Sequence, residues 1–563
     1  MRRLAALTIV LAVLVPAGVA HAAPAPGLNV AGLADQNVDE GLATGAKYLR
    51  FFAHWSGLEP TSGTIDSATL AAYGNVAARV KAGGATPIFV VTGAPQWSHP
   101  LSADGRYRPD SPAAFASFMS RFAGASQIKG KGVVYELWNE MDEADFWLPT
   151  PDPAHYAAMV KLAYPAIKQA DPSATVLLGP TTGNNYGWLD SLYDNGVQGS
   201  FDGVAVHTDT ACLADGPENF YRDNGRLARY AFLGYREVAA TLAARGDSAK
   251  KIWMTEFGWS STTTTCARGM WAGKKPAGVT EAKQAEHMAK AWYCLSQDDS
   301  VAVAAWFTLY DDPTAPNEEL RHYGLLRGPG AAAKPAYKAF SDYARSGATA
   351  SGPCGDFDPP VLRLLAPNEG RRFDGTLLIR AAATDGTGVG LGRITFRLDD
   401  NPAEIKNFTG TALKPDVAVQ LDWQGAKKLA NGPHKLAVES VDLNGNQSVA
   451  TVGLLKVDPS QLLSTDPTTT RVYSVRCKGK RCTVRGKVVG PDGISVDGKV
   501  QVEWQAKRKG AFKTIHKGLK SAGKSFTVSQ KLKYKGAWRV RVTYLGKPPL
   551  KTSVAPLAAL HVK

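Results

Sequence analysis

The sequence predicts an α/β protein, a (β/α)8 TIM barrel followed by two small all-β sandwich domains. Three observations carry that prediction. Between Leu28 and Arg345, short apolar runs alternate with longer amphipathic stretches eight times over. After Ser346 the pattern changes to short alternating runs separated by turn clusters, the mark of antiparallel sandwiches. Charge is also segregated along the chain. The whole carries +15, but Arg471–Lys563 holds 23 Lys+Arg against Asp492, Asp497 and Glu503, which is +20 and leaves −5 before it.

Taken in order, Arg2 and Arg3, the apolar Leu4 to Val19 and the small-residue site Ala20-His21-Ala22 read as a signal peptide over 1–22. The stretch is short for a membrane span and runs into Pro24 and Pro26, so no transmembrane segment is expected. The protein is therefore expected to be secreted and extracellular.

Candidate barrel strands begin near Leu28, Lys47, Thr86, Val133, Ala174, Phe201, Lys251 and Val301. Helical patterns cover Ser67–Ala82, Ala113–Ala123, Pro153–Ala170, Arg226–Arg245 and Thr280–Ser296. The barrel domain is set at 28–345. No Gly-rich phosphate loop follows the first strand, which argues against an open doubly wound sheet. A Gly/Ser/Pro-rich linker spans 346–360, a β-sandwich 361–458, a second linker 459–470, and a basic β-sandwich module 471–563. No repeat of solenoid length occurs.

Six cysteines in an exported chain read as three disulfides, although six allow fifteen connectivities. Cys477 and Cys482 look like a hairpin staple. Cys212 and Cys266 both fall in small-residue-rich loops and are paired here, which leaves Cys294 with Cys354. No Cys/His spacing matches a zinc site, and neither metal nor cofactor is expected.

Chemistry concentrates in two strings, Val133-Val-Tyr-Glu-Leu-Trp-Asn-Glu140 and Lys251-Ile-Trp-Met-Thr-Glu256-Phe-Gly-Trp259. Each is an apolar run ending in a glutamate, and an unpaired carboxylate at a buried strand end is costly. Two such ends suggest paired carboxylates across one cleft, as glycoside hydrolysis requires. Asn139 adds an amide able to hold a sugar hydroxyl.

Several motifs fall in barrel order: Tyr48-Leu-Arg50-Phe-Phe-Ala-His-Trp55-Ser-Gly-Leu-Glu59-Pro, Gly93-Ala-Pro95-Gln-Trp97, Trp138-Asn139-Glu140 with Phe146-Trp147, Phe201-Asp-Gly-Val-Ala-Val-His207, Thr255-Glu256-Phe-Gly-Trp259, and Trp306-Phe307. Over most of Leu28–Arg345 the chain resembles retaining glycoside hydrolases of clan A, family 39 and its relatives most of all. The resemblance implies Glu140 as acid/base, Glu256 as nucleophile and Asn139 as the partner of the 2-hydroxyl. It also assigns Arg50, Trp55, Trp97, His207, Trp259 and Trp306 to substrate binding, Trp306 by stacking on the sugar. Trp147 is a further candidate sugar platform. Glu136 is read as the structural partner of a barrel cation. Two positions depart from the family pattern, Met141 where proline is usual and Asp209 where a tyrosine often stands, and both bear on the substrate. Residues 361–458 resemble bacterial immunoglobulin-like modules, the ending Ser440-Val-Asp-Leu-Asn-Gly-Asn446 echoing theirs.

The expected activity is hydrolysis of O-glycosyl bonds in a polysaccharide by a monomeric enzyme. The alternative is a non-catalytic glycan-binding barrel attached to the cell surface. For the basic module the expected partner is an anionic cell-wall polymer or acidic exopolysaccharide. Nucleic acid is not expected, because no recognition motif or interleaved aromatic series accompanies the lysines. Sugar identity, linkage and endo or exo cleavage stay open.

Overall fold

The computed structural model describes residues 23–562 apart from 100–103, 210–211, 213–214, 268–271, 313, 315–318, 376, 387, 400, 408–415, 459–466, 491–495 and 548–549. The predicted signal peptide lies outside the described residues. The chain divides into two compact units, Met1–Asp356 and Phe357–Lys563.

In the first unit, β1 (Ala25–Asn29), β2 (Tyr48–His54), β3 (Thr86–Thr92), β4 (Val134–Leu137), β5 (Thr175–Thr181), β6 (Gly203–Asp209), β7 (Lys251–Gly258) and β8 (Val301–Trp306) close a parallel barrel. β8 returns to β1 in the register Ala25↔Val303 to Leu28↔Trp306. Strands buried on both faces read as continuous apolar runs, which is why Ile88, Phe89, Val90 and Val91 are all fully buried. Several of the surrounding helices start at side-chain caps: Asp66, Ser111, Asp152 and Thr280 each accept a backbone N–H of the first turn.

One expected helix is shorter than its apolar period suggested. The pattern Arg226–Arg245 forms an α-helix only over Tyr235–Ala244, preceded by a 3-10 turn at Phe232–Gly234. Its first residues are drawn into loop contacts instead. Arg226 lies 3.7 Å over the Tyr186 ring and bonds Glu237 at 2.9 Å, while Arg229 pairs with Asp142 at 2.9 Å.

The barrel interior is layered. Ile88, Val134, Leu177 and Ala205 form an apolar plug with Tyr48 and Trp253 packed against it. Strand side chains alternate faces, so residues two further along point into the same interior, one layer nearer the C-terminal rim. Those residues include Arg50, Glu136 and His207. The sequence therefore stacks a charged layer directly on an apolar one.

In the second unit, β9 (Val361–Ala366), β11 (Leu377–Thr384) and β14 (Asp416–Trp423) form one sheet. β10 (Arg371–Phe373), β16 (Gln447–Lys456), β15 (Gly432–Asp442), β12 (Leu391–Leu398) and β13 (Asn401–Asn407) form the other. Ile379, Ala381, Ile394, Phe396, Leu436 and Val438 fill the space between. The basic module repeats the plan. β17 (Thr469–Lys478), β18 (Arg481–Val489) and β21 (Phe526–Lys531) face β20 (Ala511–Ser521), β19 (Lys499–Arg508), β22 (Gly536–Tyr544) and β23 (Ser553–Val554), with β24 (Ala558–Val562) paired to β22. Its core holds Val484, Val500, Val502, Trp504, Trp538 and Val540.

Disulfides join Cys212 to Cys266, Cys294 to Cys354 and Cys477 to Cys482, the last directly opposite in the β17–β18 ladder. Among the described residues no helix is long and apolar enough to cross a membrane.

Candidate active site

Arg50 organises the charged layer. Fully buried within β2, it donates from Nε to Glu136 Oε2 at 2.7 Å and from Nη1 to Asn29 Oδ1 at 2.7 Å. The same Nη1 donates to Glu256 Oε1, and Nη2 reaches Asn139 Oδ1 at 3.2 Å. A guanidinium can serve so many partners because its donors are fixed in one plane. Asn29 in turn donates to the carbonyls of Thr255 and Trp306, which ties β1 to the ends of β7 and β8.

Glu140 and Glu256 are brought together through one imidazole. His207, fully buried on β6, places Nδ1 2.8 Å from Glu140 Oε1 and Nε2 3.5 Å from Glu256 Oε1. Arg50 Nη2 lies 3.3 Å from His207 Nε2. The imidazole thus stands between the guanidinium and both carboxyls, and its two nitrogens link Glu140 to Glu256.

The backbone that presents Glu140 is unusual. Trp138 and Glu140 both adopt left-handed conformations, with φ of 78° and 45°. Non-glycine residues rarely sit there, and such strain persists only where the surroundings hold it. Here Trp138 N–H bonds Val91 O, Glu140 N–H bonds Pro180 O at 2.9 Å, and the Trp138 indole bonds Phe146 O at 2.9 Å. Gly179 lets β5 pass close by, since a Cβ there would lie 2.3 Å from Leu137 O. Asp142 pins the following loop. It accepts from Thr182 N–H at 2.9 Å, Asn185 Nδ2 at 2.7 Å and Arg229 Nη2 at 2.9 Å.

The two carboxyls meet different fields. Burial, with Asp142 and Glu143 nearby, pushes Glu140 up to about 7 against the partial opposition of Arg50 and Arg229. Glu256 is instead in direct contact with the Arg50 guanidinium. One carboxyl is thus suited to hold a proton near neutrality and the other sits against a fixed cation. Asn139, 4% exposed, turns its oxygen to Arg50, which leaves its amide nitrogen to donate elsewhere.

Glu136, Arg50, Asn139, Glu140, His207 and Glu256 therefore form one connected cluster at the barrel's C-terminal end. The tryptophans do not join it as expected. Trp55 has no exposed surface. It stacks on Phe118 at 5.2 Å and donates to Glu59 Oε2, so it serves the core behind β2. Trp147, also fully buried, packs edge-on against Trp138 at 5.2 Å and Tyr156 at 5.8 Å. Trp259 and Trp306 are buried too and pack on each other at 6.3 Å, their indoles donating to Asp215 O and Tyr323 O. Large rings at strand ends found apolar partners and backbone acceptors, and a sugar cannot reach a face that is already covered. Arg50, likewise fully enclosed, can act on a substrate only through the groups it holds. Trp97 alone of this set keeps part of its ring exposed, with Nε1 on Glu59 O at 2.9 Å.

Other aromatics take the accessible places. Phe52, 38% exposed, lies under the Arg50 guanidinium at 5.2 Å and stacks on His54. The period-two spacing 50, 52, 54 along β2 marks these residues as one face. Phe307, immediately after Trp306, is the partly exposed ring at the end of β8. Met141 is buried against β5, and the side chain of Asp209 lies outside the described residues.

No family model matches the sequence. No curated protein matches it either. Solved structures that resemble it include a family 39 glycoside hydrolase from the gut symbiont Bacteroides cellulosilyticus WH2, at 17% identity over 71% of this chain and 80% of that one, with a TM-score of 0.46. A family 39 β-xylosidase from Caulobacter crescentus aligns at 15% identity over 71% and 97%, TM-score 0.42. An endo-β-1,4-mannanase from Thermotoga petrophila aligns at 14% over 78% and 99%, TM-score 0.40. All three stay below a TM-score of 0.5, so the barrel assignment rests on the closed eight-stranded sheet itself.

Proposed function

We propose that the protein is a secreted retaining glycoside hydrolase acting on a polysaccharide. The observation that carries this reading is the pair Glu140 and Glu256, joined through His207 but held in opposite electrostatic surroundings. Glu256, against Arg50, attacks the anomeric carbon as its carboxylate. Glu140 gives its proton to the leaving oxygen, then takes one from the water that releases the covalent glycosyl-enzyme. Asn139 Nδ2 donates to the 2-hydroxyl, a contact that strengthens in the transition state. Phe52, Trp97 and Phe307 offer ring faces to the chain of sugars. Three disulfides support secretion. Attachment through Arg471–Lys563 to an anionic polymer raises local concentration on an insoluble substrate.

The test is a panel of polysaccharides with NMR of the first anomer released. Retained configuration on at least one glycan is expected. Inverted product would overturn the double-displacement reading, and binding without turnover on every glycan would leave the barrel as a lectin.

A further inference from the structure

The basic module does not spread its charge evenly over its two sheets. In the three-stranded sheet, Cys482, Val484, Gly486 and Val488 of β18 point into the core, so the alternate positions point outward. Those are Arg481, Thr483, Arg485, Lys487 and, at the strand's end, Val489. The ladder register sets Arg471 beside Lys487, Arg476 beside Thr483, and Lys478 and Lys531 on either side of Arg481. The remaining outward partners are small hydroxyls, Ser474, Thr527 and Ser529. Among the described residues no acid stands on this face, and none of its cations forms an ion pair. Strands about 4.8 Å apart and outward positions about 7 Å apart along each strand make it a flat grid of positive charge.

The other sheet is built differently. Glu503 sits at the centre of its outer face, accepts from Gln501 and Gln505, and pairs with Lys517 at 3.2 Å, while Arg541 lies opposite it in register. One cation there, Lys517, is paired from within the module. On the first face none among the described residues is.

A second feature marks that face. At the bulge between Val472 and Ser474, Tyr473 is the extra residue opposite Arg485, and it is 57% exposed. A large aromatic left in water among arginines has little structural use. It offers a ring face to a sugar, and arginine forks suit carboxylates in two-point contact.

We propose that the outer face of the β17–β18–β21 sheet is the docking surface for an acidic polysaccharide, its carboxylates held by Arg476, Arg481 and Arg485 and a sugar ring laid on Tyr473. This rests only on the anchoring part of the functional reading and not on catalysis in the barrel.

The experiment measures binding of the full-length protein to polygalacturonate, with long-chain polyphosphate and neutral dextran as comparisons. Polygalacturonate should bind, dextran should not, and salt should weaken binding steeply because the contacts are solvent-exposed. The triple change R476S/R481S/R485S should weaken binding at least tenfold. The charge-matched K499S/K513S/K520S, at exposed positions on the other sheet, should change it less than threefold. Tyr473→Ala should weaken polygalacturonate binding severalfold and leave polyphosphate unaffected. Thermal melting checks each fold; if a triple variant melts early, R476S and R485S singly must each still weaken binding about twofold. Equal losses from both triples would reduce the effect to net charge and overturn the proposal. So would polyphosphate binding as tight as polygalacturonate with no effect of Tyr473→Ala, or no binding at all. Loss of turnover with binding intact would instead count against the barrel reading alone.

Discussion

The ends of β4 and β7 each present a buried glutamate to the same cleft, 9% and 7% exposed, and yet the two are not alike. Glu256 lies within β7, just past a register shift at Thr255, and rests on Arg50. Glu140 leaves a strand only four residues long, through two left-handed residues, and faces the acids Asp142 and Glu143. Similar burial with unequal neighbours puts the two carboxyls in different electrostatic surroundings. That teaches where to look for roles in such a site: at the groups one contact away from each carboxyl, since the carboxyls themselves are chemically identical.

The sharpest way to break the comparison is to remove each glutamate in turn. Glu256→Ala should lose activity on every substrate by more than about 10⁴-fold, and azide should restore turnover with inverted product. Glu140→Ala should lose about 10²- to 10⁴-fold on poor leaving groups but far less on activated aryl glycosides, with azide giving retained product. Near-normal turnover of both variants on a substrate the parent cleaves would dismantle the assignment.

A smaller effect should appear in stability. Glu140 is raised from 4.5 to about 7, so the native state binds its proton more tightly than the unfolded chain does. Stability from this group is complete below pH 4.5 and is lost as pH rises to 7. Glu140→Gln, which cannot ionise, should therefore exceed the parent by roughly 3 kcal/mol above neutrality, with the difference fading in acid. Urea melts at pH 4 and pH 8 check this, and a pH-independent difference would deny the shift.

The smallest effect concerns Asp142. The basic limb of the activity profile should fall near pH 7, where Glu140 loses its proton. Asp142→Asn removes a neighbouring negative charge while keeping an acceptor for Thr182 or Arg229. The limb should move to lower pH by less than about one unit. A limb that stays fixed while kcat drops would assign Asp142 a purely mechanical part.

Most strand starts were legible because barrel strands covered on both faces must be apolar throughout, whereas β1, expected near Leu28, begins at Ala25. Glu140 and Glu256 were legible for the opposite reason, as charges where an apolar run should end. The tryptophans misled because ring size does not say which face a neighbour covers. Trp306 and Phe307 differ by one position, yet only the second keeps an open ring. Asn29, Phe52 and Asp142 gave weaker signals. An asparagine ending a first strand, a phenylalanine two residues past an arginine and an aspartate in an acidic loop acquire meaning only when the closed sheet sets them beside Arg50 or Glu140. The start of the helix at Tyr235 was hidden for the same reason, since Asp142 and Glu237, which draw Arg229 and Arg226 away, are not encoded in the apolar period.

The seam between β1 and β8 has a kinetic consequence. Ala25 pairs with Val303, Leu28 with Trp306, and Asn29 donates to the carbonyls of Thr255 and Trp306. The first strand pairs with β2 early but meets its other neighbour, β8, only after nearly the whole barrel has been synthesised, so closure is among the most non-local events available to this chain. Until β8 arrives, β1 and β7 each present an unpaired parallel edge, and the asparagine that holds Arg50 lacks the Trp306 carbonyl it donates to. A nascent chain stopped before Val301 would therefore expose sticky strand edges and carry an unfinished site. Assembly of the active centre and completion of the fold are one and the same late event, and the interval before it is when this protein is most in need of a chaperone.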